Sequence, residues 1–276
     1  MSKDYDVLLC GSEKVGIPLA MLGSPKPIVM VAHNMSPKRK AQMVQLLGVT
    51  KRWAKVGVFT QADANFMAER FGYKHEDMFN YISAPVDRFT SAPMVSDGVI
   101  VSAGVASRDY PTLVAALKDL PGYQTEIYAA SRYHDAYRGG DATEVPAWVT
   151  FMSETPHVQL AKHISENARF VVIPLVNPTQ FGSGGSALLE AYCMGKPVIA
   201  TKTIGIVDYV QEGVTGFLVP QGDSAALREA IRKLWEDPQL AHRMGQAGRK
   251  FVEENYSPHL VNAGIRKALA DAFYHR

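Results

Sequence analysis

The sequence predicts an α/β protein made of two doubly wound, Rossmann-like domains. Short runs rich in valine and isoleucine alternate with longer runs of helical period along nearly the whole chain, which is typical of parallel sheets covered by helices. A stretch of proline and small or polar residues at 84–97 divides this pattern into two series. The 276 residues, 47% apolar and 20% charged, suffice for two globular domains.

The first series predicts four strands and three helices. The strands fall at 5–10, 27–32, 56–59 and 78–83, and the helices at 14–22, 38–47 and 62–71. We expect the strand at 5–10 to lie at a sheet edge, where unpaired backbone groups favour a homodimer seam.

The second series is longer and predicts six strands. They fall at 99–103, 126–129, 148–151, 170–174, 197–200 and 217–219, with helices at 110–118, 158–166, 187–194, 207–211 and 224–235. Asp223 is a predicted N-cap of the last of these helices. Ser257 and Pro258 predict the start of a final helix that runs through Phe273.

A glycine loop that opens directly into a helix is the most informative local feature. Its backbone N–H groups and the positive end of the helix dipole would converge on an anion, so the loop is a candidate phosphate site. Glu190 follows about one turn inside the helix, where a carboxylate could accept hydrogen bonds from a sugar diol. The alternative is a tight strand-to-helix connection with Glu190 as a solvated helix residue.

Composition and the absence of known motifs argue against several classes of function. The formal charge of +2 does not suggest nucleic acid as the main partner. Only Cys10 and Cys193 are present, which favours a reducing compartment. We find no signal peptide and no apolar run of membrane-spanning length, so we expect a cytoplasmic protein. No P-loop, no metal-ligating motif and no serine-hydrolase elbow occurs, and a dinucleotide-dependent oxidoreductase lacks its glycine fingerprint.

The segment 36–55 carries a local excess of positive charge. Six bases and no acid are interleaved with apolar residues such as Leu46 and Trp53. The pattern is compatible with a peripheral contact to an anionic membrane. It is equally compatible with a helix of the fold whose outer face is solvated.

Two long stretches resemble the donor-binding domain of family 4 glycosyltransferases. They run from Gly184 to Thr201 and from Gly205 to Pro220, and similarity continues through 222–227 and 251–257. The segment 86–89 resembles the family's interdomain link. The resemblance implies a GT-B architecture with a shortened N-terminal acceptor-side domain (1–88), a donor-binding domain (89–257) and a terminal helix (258–276) that crosses back to the first domain.

The resemblance also assigns roles to residues. Glu190 matches the second acid of the family's two-acid motif and would bind the ribose hydroxyls. His33 falls near the position of a histidine beside the donor sugar, although it could be an ordinary polar residue at a strand end. The family's phosphate-binding arginine would fall near Val105, where this chain has valine; Arg108, three residues later, could take over its charge, or else pair with Asp109 or Glu126 on the surface. The other expected donor-binding residues are Gly182, Ser183, Gly184, Gly185, Ser186, Ala187, Met152 and Ser153.

Two departures from the family pattern qualify this assignment. Gly182 stands where the first acid is expected, so the usual carboxylate contact to the donor sugar is missing, and Gln180 or Ser183 could replace it. The first domain resembles only the latter half of a family acceptor domain. A minimal enzyme, a partner chain or a homodimer would account for this.

We therefore expect a retaining glycosyltransferase that moves a sugar from a UDP- or GDP-sugar to an acceptor hydroxyl without a metal or other cofactor. The acceptor would be a glycan, a lipid-linked molecule or a small molecule. The alternative is a non-catalytic nucleotide-sugar-binding subunit of a larger transferase assembly, which the glycine at 182 and the short first domain both favour.

Overall fold

The computed structural model describes residues 5–33, 35–91, 93, 95–129, 145–152, 154–176 and 181–274. These residues form two compact units. The first unit comprises 1–83, 179–182 and 256–276, and the second comprises 84–178 and 183–255.

The first unit contains a four-stranded parallel sheet in the order β1-β2-β3-β4. Its strands are β1 (Leu8–Cys10), β2 (Ile28–Val31), β3 (Trp53–Val58) and β4 (Met78–Asn80), and its helices are α1 (Glu13–Met21), α2 (Lys38–Leu47), α3 (Gln61–Phe71) and the C-terminal helix (Pro258–Tyr274). Because each right-handed crossover moves in the same direction along the sheet, α1, α2 and α3 cover one face. The C-terminal helix covers the other face, where its Ala268 and Ala272 pack on Val29 of β2.

The second unit contains a six-stranded parallel sheet in the order β10-β9-β8-β5-β6-β7. Its strands are β5 (Val99–Ala103), β6 (Thr125–Tyr128), β7 (Val149–Met152), β8 (Ala168–Ile173), β9 (Val198–Thr201) and β10 (Gly216–Val219). The chain starts in the middle at β5, runs out to β7 and returns to β8 on the other side. Ligands bind such sheets at the carboxyl ends of the two central strands, here β5 and β8.

Five helices belong to this second sheet. They are α4 (Tyr110–Leu117), α5 (His157–Asn167), α6 (Gly185–Cys193), α7 (Ser224–Glu236) and α8 (Pro238–Asn255), and the C-terminal helix described above is therefore α9. Asp109 caps α4 and Asp223 caps α7, each through a side-chain oxygen that accepts a backbone N–H. The core between the sheet and α4, α7 and α8 is continuous and includes Tyr110, Phe170 and Ile231, all fully buried.

The long helix α8 does not follow from the sequence pattern, because two glycines interrupt its helical period. Both are close-approach positions. A Cβ on Gly245 would lie 1.9 Å from the carbonyl oxygen of Gly195, and one on Gly248 would lie 2.5 Å from the Tyr192 ring. The glycines therefore let α8 pack directly against α6 and the turn that follows it.

The predicted α-helix at 207–211 is wrong. The segment 207–211 was expected to be helical, whereas the chain forms a single 3-10 turn at Ile206–Asp208 followed by a short bridge at Glu212. Gly213 and Gly216 follow too closely for an α-helix to extend. Within the described residues, no helix combines the length and the apolar character needed to cross a lipid bilayer.

Candidate functional site

The loop that follows β5 folds a buried arginine back onto its own backbone. Arg108 is 7% exposed, and its Nε and Nη1 donate to the carbonyl oxygens of Ala103 and Ala106 at 2.9 and 3.1 Å. Gly104, with a φ of 113°, makes this possible, since a Cβ there would lie 2.5 Å from Arg108 Nη2. The arginine is thus held at the carboxyl end of β5.

Backbone strain accompanies this arrangement. Ser107 has a φ of 57° and is the non-glycine residue of the described chain with positive φ. Its carbonyl accepts a hydrogen bond from Val176 N at 3.0 Å, and Asp109 N donates to Pro174 O at the same distance. The loops after the two central strands are therefore tied together. A strained serine at this point is characteristic of a functional loop.

The partners suggested for Arg108 on the surface are engaged elsewhere. Asp109 accepts hydrogen bonds from the backbone N–H and the hydroxyl of Thr112. Glu126 accepts a hydrogen bond from the Tyr128 hydroxyl at 2.8 Å. Arg108 is buried in the loop rather than lying on the surface, and its role in binding phosphate stays a prediction.

The glycine loop leads into α6 through a left-handed residue. Gly184 has a φ of 86°, and a Cβ at this position would lie 3.2 Å from both Ile173 and Leu175 at the end of β8. Glycine is needed for both reasons. The helix consequently begins directly against the carboxyl end of the strand.

The first turn of α6 has backbone donors without helical partners. The first helical hydrogen bond runs from Leu188 N to Gly184 O at 3.1 Å, and the N-cap residue, being glycine, has no side chain to cap the turn. The amides of Gly185, Ser186 and Ala187 precede this bond in the chain. Together with the helix dipole, they make this helix end a candidate anion site, as the sequence predicts.

Glu190 contacts a histidine that the sequence analysis did not identify. His157, the first residue of α5, places its Nε2 3.0 Å from Glu190 Oε2. The Glu190 side chain is 29% exposed and the His157 side chain 64%. The carboxylate is therefore half-buried and turned toward α5, and it is not a freely solvated helix residue.

A cavity of about 180 Å³ adjoins this pair. Its walls are mainly apolar side chains from α5, α6 and β8, and its polar groups are the side chains of Arg108, His157 and Glu190. The apolar wall comprises Ala103, Leu160, Ala161, Ile164, Val171, Ala187, Ala191 and Met194. An apolar pocket with a few converging polar groups is the usual form of a small-molecule site.

The remaining predicted residues differ in their environments. Met152 is half-buried at the end of β7, and Ser153 and Gln180 lie outside the described residues. Gly182 is grouped with the first unit, where a Cβ on it would lie 3.6 Å from Phe59 Cβ. Ser183 is half-buried and Ser186 is exposed.

His33 lies in the first unit, at the carboxyl end of β2. Its Nε2 is 2.8 Å from the carbonyl oxygen of Gly11, and its ring lies 4.7 Å from that of Phe59 and 6.4 Å from that of Tyr81. The imidazole is exposed. Both suggested roles, a polar residue at a strand end and a catalytic group, are compatible with this environment.

Two further features bear on the chemistry of the site. Burial raises the pKa of the Cys193 thiol in α6 to about 12, so this cysteine is not a nucleophile at neutral pH. Across the described ranges, His, Cys, Asp and Glu side chains form no group of three that could hold a metal ion.

Part of the chain is similar in sequence to known glycosyltransferases. Residues 140–251 match the family described as glycosyl transferases group 1. The chain is 37% identical over 113 residues to the capsular polysaccharide biosynthesis glycosyltransferase CapM of Staphylococcus aureus. That alignment covers 40% of this chain and 30% of CapM, so the matched part spans less than a third of the relative.

Solved structures resemble nearly the whole chain. Sucrose-phosphate synthase from Thermosynechococcus elongatus superposes with a TM-score of 0.81 at 19% identity, over 99% of this chain and 75% of that one. Anabaena HepE, solved in complex with UDP and glucose, gives a TM-score of 0.78 at 19% identity, over 96% of this chain and 78% of that one. At these identities the likeness shows the fold, and the predicted GT-B fold with two Rossmann-like units is confirmed.

Proposed function

We propose that the chain is a retaining glycosyltransferase, because residues 140–251 match the family described as glycosyl transferases group 1. Its donor would be a UDP- or GDP-sugar, and its acceptor a hydroxyl of a glycan, a lipid-linked molecule or a small molecule. The observation that carries the proposal is the cavity at the central strands of the second sheet. There a buried arginine, a half-buried carboxylate and a free helix N-terminus adjoin one apolar pocket.

The size of the cavity determines which part of the donor it would hold. Drug-sized ligands occupy pockets of about 300–1,000 Å³, so about 180 Å³ accommodates only a ring-sized fragment. Leu160, Ile164 and Met194 offer apolar surface to such a ring. We assign the pocket to the nucleoside end of the donor, with the diphosphate leading away toward the start of α6.

Two polar side chains at the pocket, those of Glu190 and His157, would bind the ribose. Glu190 Oε2 already contacts His157, so ribose hydroxyls would share this carboxylate with the imidazole unless the imidazole moves. A carboxylate accepts hydrogen bonds only, whereas an imidazole nitrogen can accept or donate. We infer that Glu190 and His157 bind the two ribose hydroxyls together, and that the exposed His157 adjusts its side chain as the diol enters.

The diphosphate is the group on which catalysis depends. As the bond from sugar to phosphate breaks, negative charge accumulates on the leaving diphosphate. The amides of Gly185, Ser186 and Ala187, the helix dipole and the permanent charge of Arg108 would stabilise it. Because these groups are fixed by the backbone and by burial, little reorganisation is needed during the reaction. The roles of His33 and the replacement for the carboxylate missing at position 182 remain predictions.

A turnover experiment tests the proposal. The purified chain is incubated with a panel of UDP- and GDP-sugars, and the released nucleoside diphosphate is measured, since glycosyltransferases hydrolyse their donors slowly even without acceptor. We expect the release of either UDP or GDP, but not of both. Arg108→Met should lower the rate of release at least about tenfold, because a charged contact to the leaving group is lost. Arg243→Met, which changes an exposed arginine in α8, is the matched control.

The outcome also separates the proposal from its alternative. Saturable binding of one nucleotide sugar without any release, across a panel of acceptors, would indicate a non-catalytic binding subunit, which Gly182 in place of an acid favours. Product anomers examined by NMR test the retaining mechanism. An inverted anomer would contradict that part of the proposal.

A further inference from the structure

The segment 7–62 of the first unit has a strongly one-sided charge. Residues 7–62 contain eight lysines and arginines but one acid, Glu13. Glu13 is buried, and its carboxylate is 3.0 Å from Lys40 Nζ, so it is already neutralised. Among the described residues, Lys51 and Arg52 make no ion pair, and both are exposed.

Apolar side chains are exposed beside these cations. Leu46 at the end of α2 is 87% exposed, and Leu22, directly after α1, is 81% exposed. Met21, Met43 and Leu47 are also exposed. A single exposed leucine needs no explanation, but five large apolar side chains on two neighbouring helices do.

The topology brings these residues to the same end of the unit. Helices α1 and α2 cover the same face of the sheet, and both end at the edge where the next strand begins. The 3-10 turn Val49–Arg52 contacts both helices, and the Arg52 guanidinium lies 3.5 Å from the position of a Cβ on Gly23, the residue after Leu22. We call the group Met21, Leu22, Met43, Leu46, Leu47, Lys51 and Arg52 the basic apolar surface.

We propose that the basic apolar surface docks the protein on an anionic lipid bilayer. Leucine and methionine side chains would enter the boundary between headgroups and acyl chains, while Lys51 and Arg52 contact the negative headgroups. This combination distinguishes the surface from a nucleic-acid site. There, polar and aromatic side chains lie between the lysines and arginines, and exposed leucines are not required. It also disfavours a second copy of the chain, because two surfaces of equal positive charge would repel one another.

The basic apolar surface shares no residue with the candidate donor site. It lies where strands of the first sheet begin, whereas the candidate site lies at the carboxyl ends of strands in the second sheet. Failure of the membrane proposal would therefore leave the transferase proposal intact, and the reverse also holds.

Vesicle flotation tests the inference. The full chain is mixed with vesicles of pure phosphatidylcholine, or of equal parts phosphatidylcholine and phosphatidylglycerol, and the floated fraction is measured. We expect binding to the anionic vesicles only. Lys51→Glu/Arg52→Glu should lower the partition coefficient by at least about 25-fold, since each cation near an anionic surface contributes about fivefold.

Two further variants separate charge from apolar insertion. Leu22→Ser/Leu46→Ser keeps every charge and should lose most binding, including at high salt. Arg243→Glu/Lys250→Glu makes the same change in net charge on exposed positions of α8 and should bind as the wild type does. Circular dichroism and nucleotide binding verify that each variant is folded.

Three results would overturn the inference. They are absence of binding to anionic vesicles, equal loss of binding in the α8 control, and undiminished binding in both surface variants. Light scattering on the same samples detects whether a second copy of the chain binds to this surface. A dimer that dissociates in Leu22→Ser/Leu46→Ser, with no vesicle binding by the wild type, would assign the surface to self-association instead.

Discussion

Replacing Lys196 with methionine should stabilise the protein at neutral pH. Lys196 follows α6 and is 3% exposed, and within the described chain no acid lies at ion-pair distance from its ammonium group. Burial lowers its pKa from 10.5 to about 8. At roughly 1.4 kcal/mol per pH unit, this difference corresponds to about 3 kcal/mol of free energy of unfolding.

The direction in which stability changes with pH depends on whether the folded or the unfolded state holds the proton of Lys196. Below about pH 8 Lys196 is charged in both the folded and the unfolded chain, so the folded protein bears the full cost of burying the ammonium. Between pH 8 and 10.5 the folded state releases the proton while the unfolded state keeps it, so stability rises with pH. Above this window the cost has disappeared.

Urea unfolding of wild type and Lys196→Met, followed by circular dichroism across this pH range, measures the effect. We expect Lys196→Met to be more stable by up to about 3 kcal/mol at pH 7, with the gap closing toward pH 10.5. Lys250→Met, at a 75% exposed position in α8, should change stability by less than about 0.5 kcal/mol throughout. A gap that does not vary with pH, or a less stable Lys196→Met at pH 7, would refute the reasoning.

Two glycine substitutions test local packing. Gly104→Ala places a Cβ 2.5 Å from Arg108 Nη2 and should weaken nucleotide binding by at least about tenfold, as measured by calorimetry. Gly122→Ala, also at positive φ but with open space around it, should leave affinity unchanged. Gly248→Ala places a Cβ 2.5 Å from the Tyr192 ring and should lower the free energy of unfolding by about 1–3 kcal/mol. An unchanged urea midpoint would show that α8 can shift away from α6.

Most of the fold could be predicted because its elements obey local rules. Helix α2 was predicted at its observed bounds, since Gly48 terminates the periodic run in a left-handed conformation. Helix α8 was missed because Gly245 and Gly248 interrupt its period, and their close contacts are tertiary facts that no local pattern contains. The segment 207–211 was predicted as a helix for a related reason, because the burial of Ile206 in the short turn comes from packing and not from a helical period.

The candidate site was predicted in part. The glycine loop and Glu190 were proposed because the loop, the helix start and the carboxylate are adjacent in sequence, whereas Arg108 was proposed from the family resemblance. His157 was not identified, since 33 residues separate it from Glu190 and only the packing of α5 beside α6 brings the two together. The strained conformation of Ser107 was also not predicted, because no sequence pattern indicates a positive φ at a serine.

Binding of nucleoside diphosphates tests the central claim most directly. Isothermal titration of UDP and GDP against the wild type, Glu190→Gln and Glu229→Gln compares the pocket carboxylate with an exposed one in α7. We predict that one nucleotide binds the wild type and Glu229→Gln equally, and that Glu190→Gln binds it about 10- to 100-fold more weakly, the value of one hydrogen bond to a charged group. Equal affinity in all three proteins, or no binding of either nucleotide, would contradict the assignment of this cavity as the donor site.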